Sequence, residues 1–251
     1  MNTLRLVAAA LSLSFIMPAQ AALKPAEIAD RAAVIEFAAH TGDYLYLNEI
    51  SKRLADEKAR GDNQKLVHYY AALAAYRAAE LDGDIELRVG VMLDQCIDQG
   101  KAAVKLDREF AEALALIGAC HGLAAKRQPL SALVAGNFAA RELRKALAIA
   151  PENPRVLLLN AVTVLRRYDD ARRLEQARDQ LQLAVSVYDR FDDMRRPVGH
   201  PDWGEEQAHL ALSSVYTRLG DKAAARDHLE QALLIAPQLT AAKTALANLG
   251  R

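Results

Sequence analysis

One residue spacing recurs along the chain and constrains its fold more than any other feature. It places a small residue at position i, a large apolar residue at i+4, alanine at i+7 and proline at i+12. Residues four and then three places apart lie on one helix face, so each copy forms a stripe that a neighbouring helix can approach closely. The proline lacks a backbone N–H and ends the helix. Two copies are complete: Ala139, Leu143, Ala146, Pro151, and Ala225, Leu229, Ala232, Pro237.

Two weaker copies of the spacing and a second pattern indicate paired helices. The weaker copies keep the first three places, at Ala177, Leu181, Ala184 and at Cys96, Gly100, Ala103. Other segments follow the order large, large, small, large, which suits a helix that accepts a close neighbour: Leu114, Ile117, Gly118, His121, and His209, Leu212, Ser213, Tyr216. Only 12 glycines and 8 prolines interrupt the chain, so we expect an all-α protein with short turns.

Two stretches resemble the tetratricopeptide repeat (TPR) family. LDREFAEALALIGACHG is similar to the start of such a repeat, and HLALSSVYTRLGDKAAARDHLEQALLIAP matches nearly a whole repeat, with Gly220 at the turn. The resemblance implies antiparallel helix pairs stacked in a right-handed superhelix, an α-solenoid, with a concave groove lined by first helices. The chain as a whole is similar to exported bacterial repeat proteins of uncharacterised function.

Residues 22–251 are expected to form a single helical-repeat domain. It would comprise divergent N-terminal helices over 22–81, TPR-like pairs over 84–237 and a C-terminal capping helix over 239–250, about five pairs and a cap. Pro25 is expected to begin a helix, Gly42-Asp43 and Gly61-Asp62-Asn63 to form turns, and Asp82-Gly83-Asp84 to cap the next helix. The wide spacing from Leu114 to Ala139 predicts a longer elbow or an extended second helix.

The first 21 residues have the character of a secretory signal peptide. Arg5 precedes an apolar stretch, and Ala19-Gln20-Ala21 fits the small-x-small cleavage pattern. The stretch is too short for a spanning helix, which needs roughly 20 apolar residues. Cleavage after Ala21 would leave no cysteine for lipid attachment, and we therefore expect an exported, periplasmic or secreted chain without an integral membrane segment.

Charge and motifs argue against several classes of function. Without Arg5, 31 basic and 32 acidic side chains remain, so nothing favours nucleic acid as a partner. HExxH, Cys-x-x-Cys, glycine-rich phosphate loops and G-x-S-x-G are absent from the sequence. We therefore predict no catalytic residues, no metal ligands and no cofactor.

Individual histidines and the loop over 189–204 have plain structural interpretations. His121 and His209 are expected to be partly buried core residues, and His40 and His228 to be solvated. The loop is expected at the surface, with Asp202 as a helix N-cap and Trp203 packing the loop down.

Five tyrosines and two cysteines leave alternatives open. The tyrosines could form a contact patch, but core packing is the favoured interpretation for Tyr44, Tyr46, Tyr69, Tyr70 and Tyr76. Cys96 and Cys120 could form a disulfide in an oxidising compartment. Two packed thiols are the favoured alternative, because Cys96 occupies the small-residue place of a stripe.

The family groove, transferred by position, gives a set of candidate peptide contacts. The set is apolar in the middle with scattered arginines, which suits a segment with apolar side chains and carboxylates. Alternatively, Leu158 and Val162 only pack the adjacent pair and the arginines are solvated. The carboxylate clamp of chaperone-tail binders is missing, because its places hold Ala115, Ala119, Leu158, Leu159 and Val162. The candidates are Glu112, Ala115, Ala119, Arg155, Leu158, Val162, Leu165, Arg166, Gln207, Leu210, Ser214 and Arg218.

Three functional hypotheses follow. The favoured one is a non-catalytic, periplasmic scaffold that binds a protein or peptide, for example in an envelope assembly or transport complex. The second is a structural protein that self-assembles through the ends of the array. The third is a small-ligand-binding or enzymatic protein that uses the loop over 189–204. The sequence does not settle the partner or the oligomeric state.

Overall fold

The computed structural model describes residues 22–81, 86–127, 132–191 and 196–250. Within these ranges it contains eleven α-helices and no strand, only an isolated bridge between Leu23 and Ala59. The predicted all-α class is confirmed. The predicted signal peptide and the Asp82-Gly83-Asp84 cap lie outside the described residues.

Short turns separate the helices, as the sparse glycine and proline predicted. The helices are α1 (Pro25–Thr41), α2 (Tyr44–Asp56), α3 (Asn63–Leu81), α4 (Glu86–Leu106), α5 (Ala111–Arg127), α6 (Ala132–Ile149), α7 (Pro154–Arg167), α8 (Ala171–Phe191), α9 (Glu205–Leu219), α10 (Lys222–Ile235) and α11 (Thr240–Leu249).

Local sequence signals set several of these boundaries. Pro25 stands at the start of α1, where its missing N–H costs nothing. Gly42 adopts a left-handed φ of 82° after α1, and the Asp43 side chain then accepts from the backbone N–H of Tyr46 to cap α2. Gly220 ends α9 in the same left-handed conformation. The turns predicted at these places are confirmed.

The stripe pattern accounts for the pairing of successive helices. α3 packs on α4, α5 on α6, α7 on α8 and α9 on α10, while the odd-numbered helices from α1 to α9 also meet one another in sequence. A Cβ built on Gly118 in α5 would lie 2.7 Å from Leu143 Cγ and 3.2 Å from the Ala139 carbonyl oxygen in α6. The small residue of the first-helix pattern, Gly118 of α5, therefore faces the stripe of small and apolar residues on the second helix, α6. The sequence patterns place α3 among the divergent N-terminal helices and α4 among the TPR-like pairs, with the boundary between residues 81 and 84. In the structure these two helices pack together as a pair.

Two features of the N-terminal helices fill and close the array. In α3, nearly every side chain from Leu66 to Ala79 is buried, because α1, α2, α4 and α5 surround it. α1 crosses to the other end of the chain and contacts α11. Thr240 Oγ1 donates to the His40 carbonyl oxygen at 3.1 Å. The first and last helices of the described chain are therefore in contact.

The two irregular segments differ from simple loops. Both helices of the middle pair are long, and Gly136 and Asn137 lie inside α6, where Gly136 is buried against the Arg167 guanidinium. After α8, residues 196–204 run against α1, and Trp203 is buried. That segment is therefore only partly a surface loop.

Cys96 and Cys120 form a disulfide, with their Cα atoms 6.5 Å apart. The preference for two packed thiols is therefore wrong in this structure. Cys96 does occupy the small place of the α4 stripe, but the same place faces α5 at the position of Cys120, and both side chains are fully buried. The bond links α4 to α5 across the boundary between successive pairs.

Candidate functional site: a cavity on the face of the odd-numbered helices

A cavity of about 500 Å³ opens on the face formed by the odd-numbered helices, and we call it the central cavity. Its lining comes from α1, α3, α5, α7, α9 and α11 and from the segments before α9 and α11. Ligand sites in proteins commonly measure roughly 300–1,000 Å³, so the central cavity is of ordinary size for a binding site. Its walls are mainly apolar, with polar groups from α1, α3, α5, α7 and α9.

Most of the predicted groove residues line this cavity. They supply an apolar floor from α7 and part of α9, with polar groups at its edge. The eight predicted residues in the lining are Leu158, Val162, Leu165, Arg166, Gln207, Leu210, Ser214 and Arg218.

The other four predicted groove residues, Glu112, Ala115, Ala119 and Arg155, do not line the cavity. Ala115 and Ala119 are fully buried, and Arg155 is only 2% exposed. Arg155 Nε lies 3.6 Å from Glu112 Oε1, which also accepts from Asn153 Nδ2 at 2.8 Å. Because α3 packs against α5, the chain itself covers this part of the expected groove.

A network of ionic contacts joins α3 to α7 in the cavity wall. Arg166 Nη1 donates to Tyr76 Oη at 2.8 Å, and Arg166 Nη2 pairs with Glu80. Arg77 Nη1 donates to Glu80 Oε2 at 3.1 Å. Burial alone would raise the pKa of Glu80, but Arg166 and Arg77 outweigh it and lower that pKa. Burial raises the pKa of Tyr76 to about 12, so its hydroxyl is neutral at ordinary pH.

A second polar cluster joins α1 to α9 beside the same cavity. His40 is only 7% exposed, and its Nε2–H donates to Glu206 Oε1 at 2.6 Å. Gln207 Nε2 donates to Glu36 Oε2 at 3.1 Å, while Arg77 Nη2 lies 3.5 Å from the same Glu36 oxygen. The prediction that His40 is solvated is wrong, because Glu206 and Gln207 of α9 and Gln238 before α11 lie against its imidazole.

The remaining cations of the cavity differ in their availability. Arg218 donates to the Leu165 carbonyl oxygen at 3.0 Å and also contacts the Tyr168 carbonyl and Asp169, so it fastens the turn after α7. Lys126 is exposed at the cavity edge and makes no ion pair with any described residue. Lys126 is therefore the cation best placed to meet a ligand.

His200, Asp202 and Trp203, the residues of the 189–204 loop with reactive side chains, do not form a common site. His200 and Asp202 are exposed, and Asp202 pairs with Arg196 at 2.9 Å. Gly204, not Asp202, occupies the N-cap position of α9. Trp203 packs inward as expected, and its Nε1–H donates to Tyr69 Oη at 2.9 Å. A smaller cavity of about 350 Å³ lies between this segment, α1 and Tyr70 of α3.

The other histidines and the tyrosines follow the sequence predictions in part. His209 is buried and His121 half-buried, as expected, while His228 is half-buried beside His209. Tyr69, Tyr70 and Tyr76 are core residues, whereas Tyr44 and Tyr46 lie nearer the surface.

Sequence reasoning missed the cluster of Glu36, His40 and Glu206. Glu36 and His40 are four residues apart on one helix, a spacing that places both side chains on the same face. That signal was present in the sequence. Glu206 lies 166 residues from His40, and only the tertiary fold brings them together.

Comparisons with known proteins support the fold. No protein-family model and no curated protein match the chain. The HusA haemophore from Porphyromonas gingivalis matches with a TM-score of 0.58 and 21% identity over 76% of this chain and 92% of that one. TTC0263, a thermophilic TPR protein in Thermus thermophilus, matches with a TM-score of 0.50 and 15% identity over 82% and 97%.

A third solved structure with the same type of architecture is the APC/C heterotetramer Cut9–Hcn1. It matches with a TM-score of 0.50 and 16% identity over 87% of this chain and 42% of that one. At these identities the likeness concerns the fold alone. The protein has a TPR-like, all-helical solenoid fold.

Proposed function

We propose that this protein is an exported, non-catalytic scaffold that binds a segment of a partner protein in the central cavity. The segment would carry apolar side chains and a carboxylate. One observation carries the proposal: eight residues expected in a peptide-binding groove line one cavity with an apolar floor and cations at its edge. Apolar burial would supply most of the affinity, and Lys126 would favour a carboxylate.

Filling the cavity tests where the partner binds. Ser214 is exposed and lines the cavity, so Ser214→Trp would occupy its space without disturbing the core. Ser186→Trp, on the exposed surface of α8, is the matched control. We expect crosslinking in the native compartment, followed by mass spectrometry, to capture a partner with the wild type and the control but not with Ser214→Trp. Equal capture by all three proteins would contradict binding in the cavity.

The charge requirement is tested separately at the cavity edge. Once a partner segment is identified, Lys126→Glu should weaken its binding about ten-fold, as measured by fluorescence anisotropy with a synthetic peptide. Lys222→Glu, exposed at the start of α10, should leave binding unchanged. If Lys126→Glu and Lys222→Glu bind the peptide with equal affinity, the proposal that Lys126 pairs with a carboxylate of the partner is wrong.

The export part of the proposal rests on residues 1–21. N-terminal sequencing of the protein recovered from its native cell should begin at Ala22. A sequence that begins at Met1 would contradict cleavage and, with it, this route of export.

A tetrapyrrole is the second candidate ligand. Two observations favour it: the fold is similar to that of a haemophore, and the central cavity combines apolar walls with the exposed cation Lys126 in a volume suited to a small molecule. Titration with haemin should then shift its visible absorption spectrum for wild type and Ser186→Trp but not for Ser214→Trp. An unchanged spectrum with all three proteins would leave the peptide segment as the ligand.

A further inference from the structure

The cluster of Glu36, His40 and Glu206 has the composition of a metal site. One imidazole nitrogen and two carboxylate oxygens lie within 4.8 Å of one another. Two of these side chains come from consecutive turns of α1 and the third from the first turn of α9. Imidazole and carboxylate ligands together suit a divalent transition metal, whereas Mg²⁺ and Ca²⁺ prefer oxygen ligands alone.

The distances between the ligand atoms bracket those of a tetrahedral zinc site. Zn²⁺ lies about 2.0–2.2 Å from nitrogen and oxygen ligands, so two ligands of a tetrahedron are roughly 3.3 Å apart. His40 Nε2 is 2.6 Å from Glu206 Oε1 and 3.9 Å from Glu36 Oε2. The first distance must lengthen and the second shorten by well under 1 Å, and the Glu36 and Glu206 oxygens, which lie within 4.8 Å of each other, must also reach the tetrahedral spacing.

Unsatisfied oxygens point to the same conclusion. Glu36 Oε1 and Gln207 Oε1 are both buried, and neither accepts a hydrogen bond from any residue that the structure describes. The Gln207 amide nitrogen lies 3.3 Å from His40 Nε2, so half a turn of the amide brings its oxygen toward the cluster. On the far side of the imidazole, Gln238 lies 3.1 Å from His40 Nδ1 and fixes the ring orientation.

The local charge balance also favours a cation. Glu36, Glu80 and Glu206 bring three carboxylates together, while Arg77 and Arg166 supply two positive charges. Counted without the imidazole, the group has one carboxylate more than it has guanidinium groups, and an uncompensated charge in buried surroundings is costly.

We propose that Glu36, His40 and Glu206 bind a divalent transition metal ion of the Zn²⁺ type, with the Gln207 amide oxygen as a fourth ligand. The ion ties α1 to α9 and so holds the array closed at the wall of the central cavity. Metal binding at His40 Nε2 requires that the proton of this nitrogen pass to solvent and that Nδ1 carry the ring proton, which the side-chain oxygen of Gln238 accepts after half a turn of its amide. This inference does not depend on the proposed partner or tetrapyrrole.

Isothermal titration of the metal-free protein with Zn²⁺ tests the site. We expect one tightly bound ion in the wild type and a loss of affinity of about 100-fold or more in His40→Gln and in Glu206→Gln, since even outer partners of metal ligands contribute 10–100-fold. Mg²⁺ should not compete. Glu49→Gln, an exposed carboxylate on α2, controls for general charge effects and should bind Zn²⁺ like the wild type.

The His209–His228 pair is the competing location, because the two Nδ1 atoms are 3.0 Å apart. Loss of Zn²⁺ binding in His228→Gln but not in His40→Gln would overturn the proposal. Binding that is equally weak in the wild type and in His40→Gln would overturn it as well.

A measurement on the wild type keeps the test valid if a variant fails to fold. Co²⁺ is paramagnetic and takes the same ligands as Zn²⁺. Bound Co²⁺ should broaden or shift the NMR signals of His40 and Gln207 most strongly. Undisturbed signals at both residues in the presence of saturating Co²⁺ would rule the site out.

Discussion

At the scale of single residues, close packing and buried charge depend on particular side chains. Gly118 has no room for a Cβ, because Leu143 and the Ala139 carbonyl occupy that space. Arg155 and Glu112 form a buried pair that an alanine at either place would leave as an unpaired charge. The sequence patterns identified Gly118 as a packing position but misassigned Arg155 to an open groove.

Gly118→Ala should lower the free energy of unfolding by about 1–3 kcal/mol, the usual cost of overpacking a core. Alanine stabilises a helix by about 0.5–1 kcal/mol relative to glycine. A net loss of stability would therefore show that the steric overlap with Leu143 outweighs this gain. Urea unfolding followed by circular dichroism checks the value. Gly250→Ala is the control, because a Cβ added there would meet only the Ala247 carbonyl oxygen, at 3.9 Å, and a similar loss there would contradict a packing cause.

Glu80→Gln should destabilise the protein at pH 7 and lose this effect in acid. The pKa of Glu80 is lowered from 4.5 in the folded state, so near pH 4.5 the unfolded chain binds more protons than the folded one. Stability from Glu80 is therefore present above pH 4.5 and disappears as the pH falls through the folded pKa. Urea unfolding of the wild type and Glu80→Gln from pH 3 to 7 measures this contribution. If the difference in unfolding free energy between the two proteins stays constant with pH, the stabilising charge of Glu80 is refuted.

At the scale of helices, contacts between pairs decide the stability of the array. α3 is enclosed by its neighbours, whereas α11 buries only Ala242 fully and belongs to a small apolar cluster with α10. The disulfide adds a covalent link between α4 and α5. The helices were predictable from periodicity, but the enclosure of α3 was not, since its sequence does not show which helices surround it.

Reduction of the Cys96–Cys120 bond should lower the free energy of unfolding by about 3.5 kcal/mol. The bond closes a loop of about 25 residues, which restricts the unfolded chain. Urea unfolding with and without reductant measures the change, and Cys96→Ala with Cys120→Ala should show no response to reductant. Two reactive thiols in the unfolded, unreduced protein would contradict the bond.

At the scale of the whole molecule, the array is closed and not open. α1 contacts α9 and α11, and α3 fills part of the face on which a longer groove was expected. A binding surface that would run along many pairs is thereby reduced to the central cavity. Within the described residues, no helix combines the length and the apolar character required to cross a bilayer.

Hydrogen exchange should follow this arrangement. Amides of α3 should exchange last, because its side chains are buried along almost the whole helix, and those of α11 should exchange first among the helices. Mass spectrometry of deuterated peptides gives the order. Exchange of α3 as fast as that of α11 would show that α3 does not form the centre of the core.

The sequence by itself determined the helical class, several helix boundaries and the pairing of second-helix stripes with first helices. These depend on interactions between residues a few places apart, such as the cap at Asp43 and the stripe that ends at Pro151. It also indicated eight residues of the cavity lining. Only the tertiary structure decided that α1 crosses to α9, that Arg155 is covered and that Glu36, His40 and Glu206 meet, because these contacts join residues far apart in the chain.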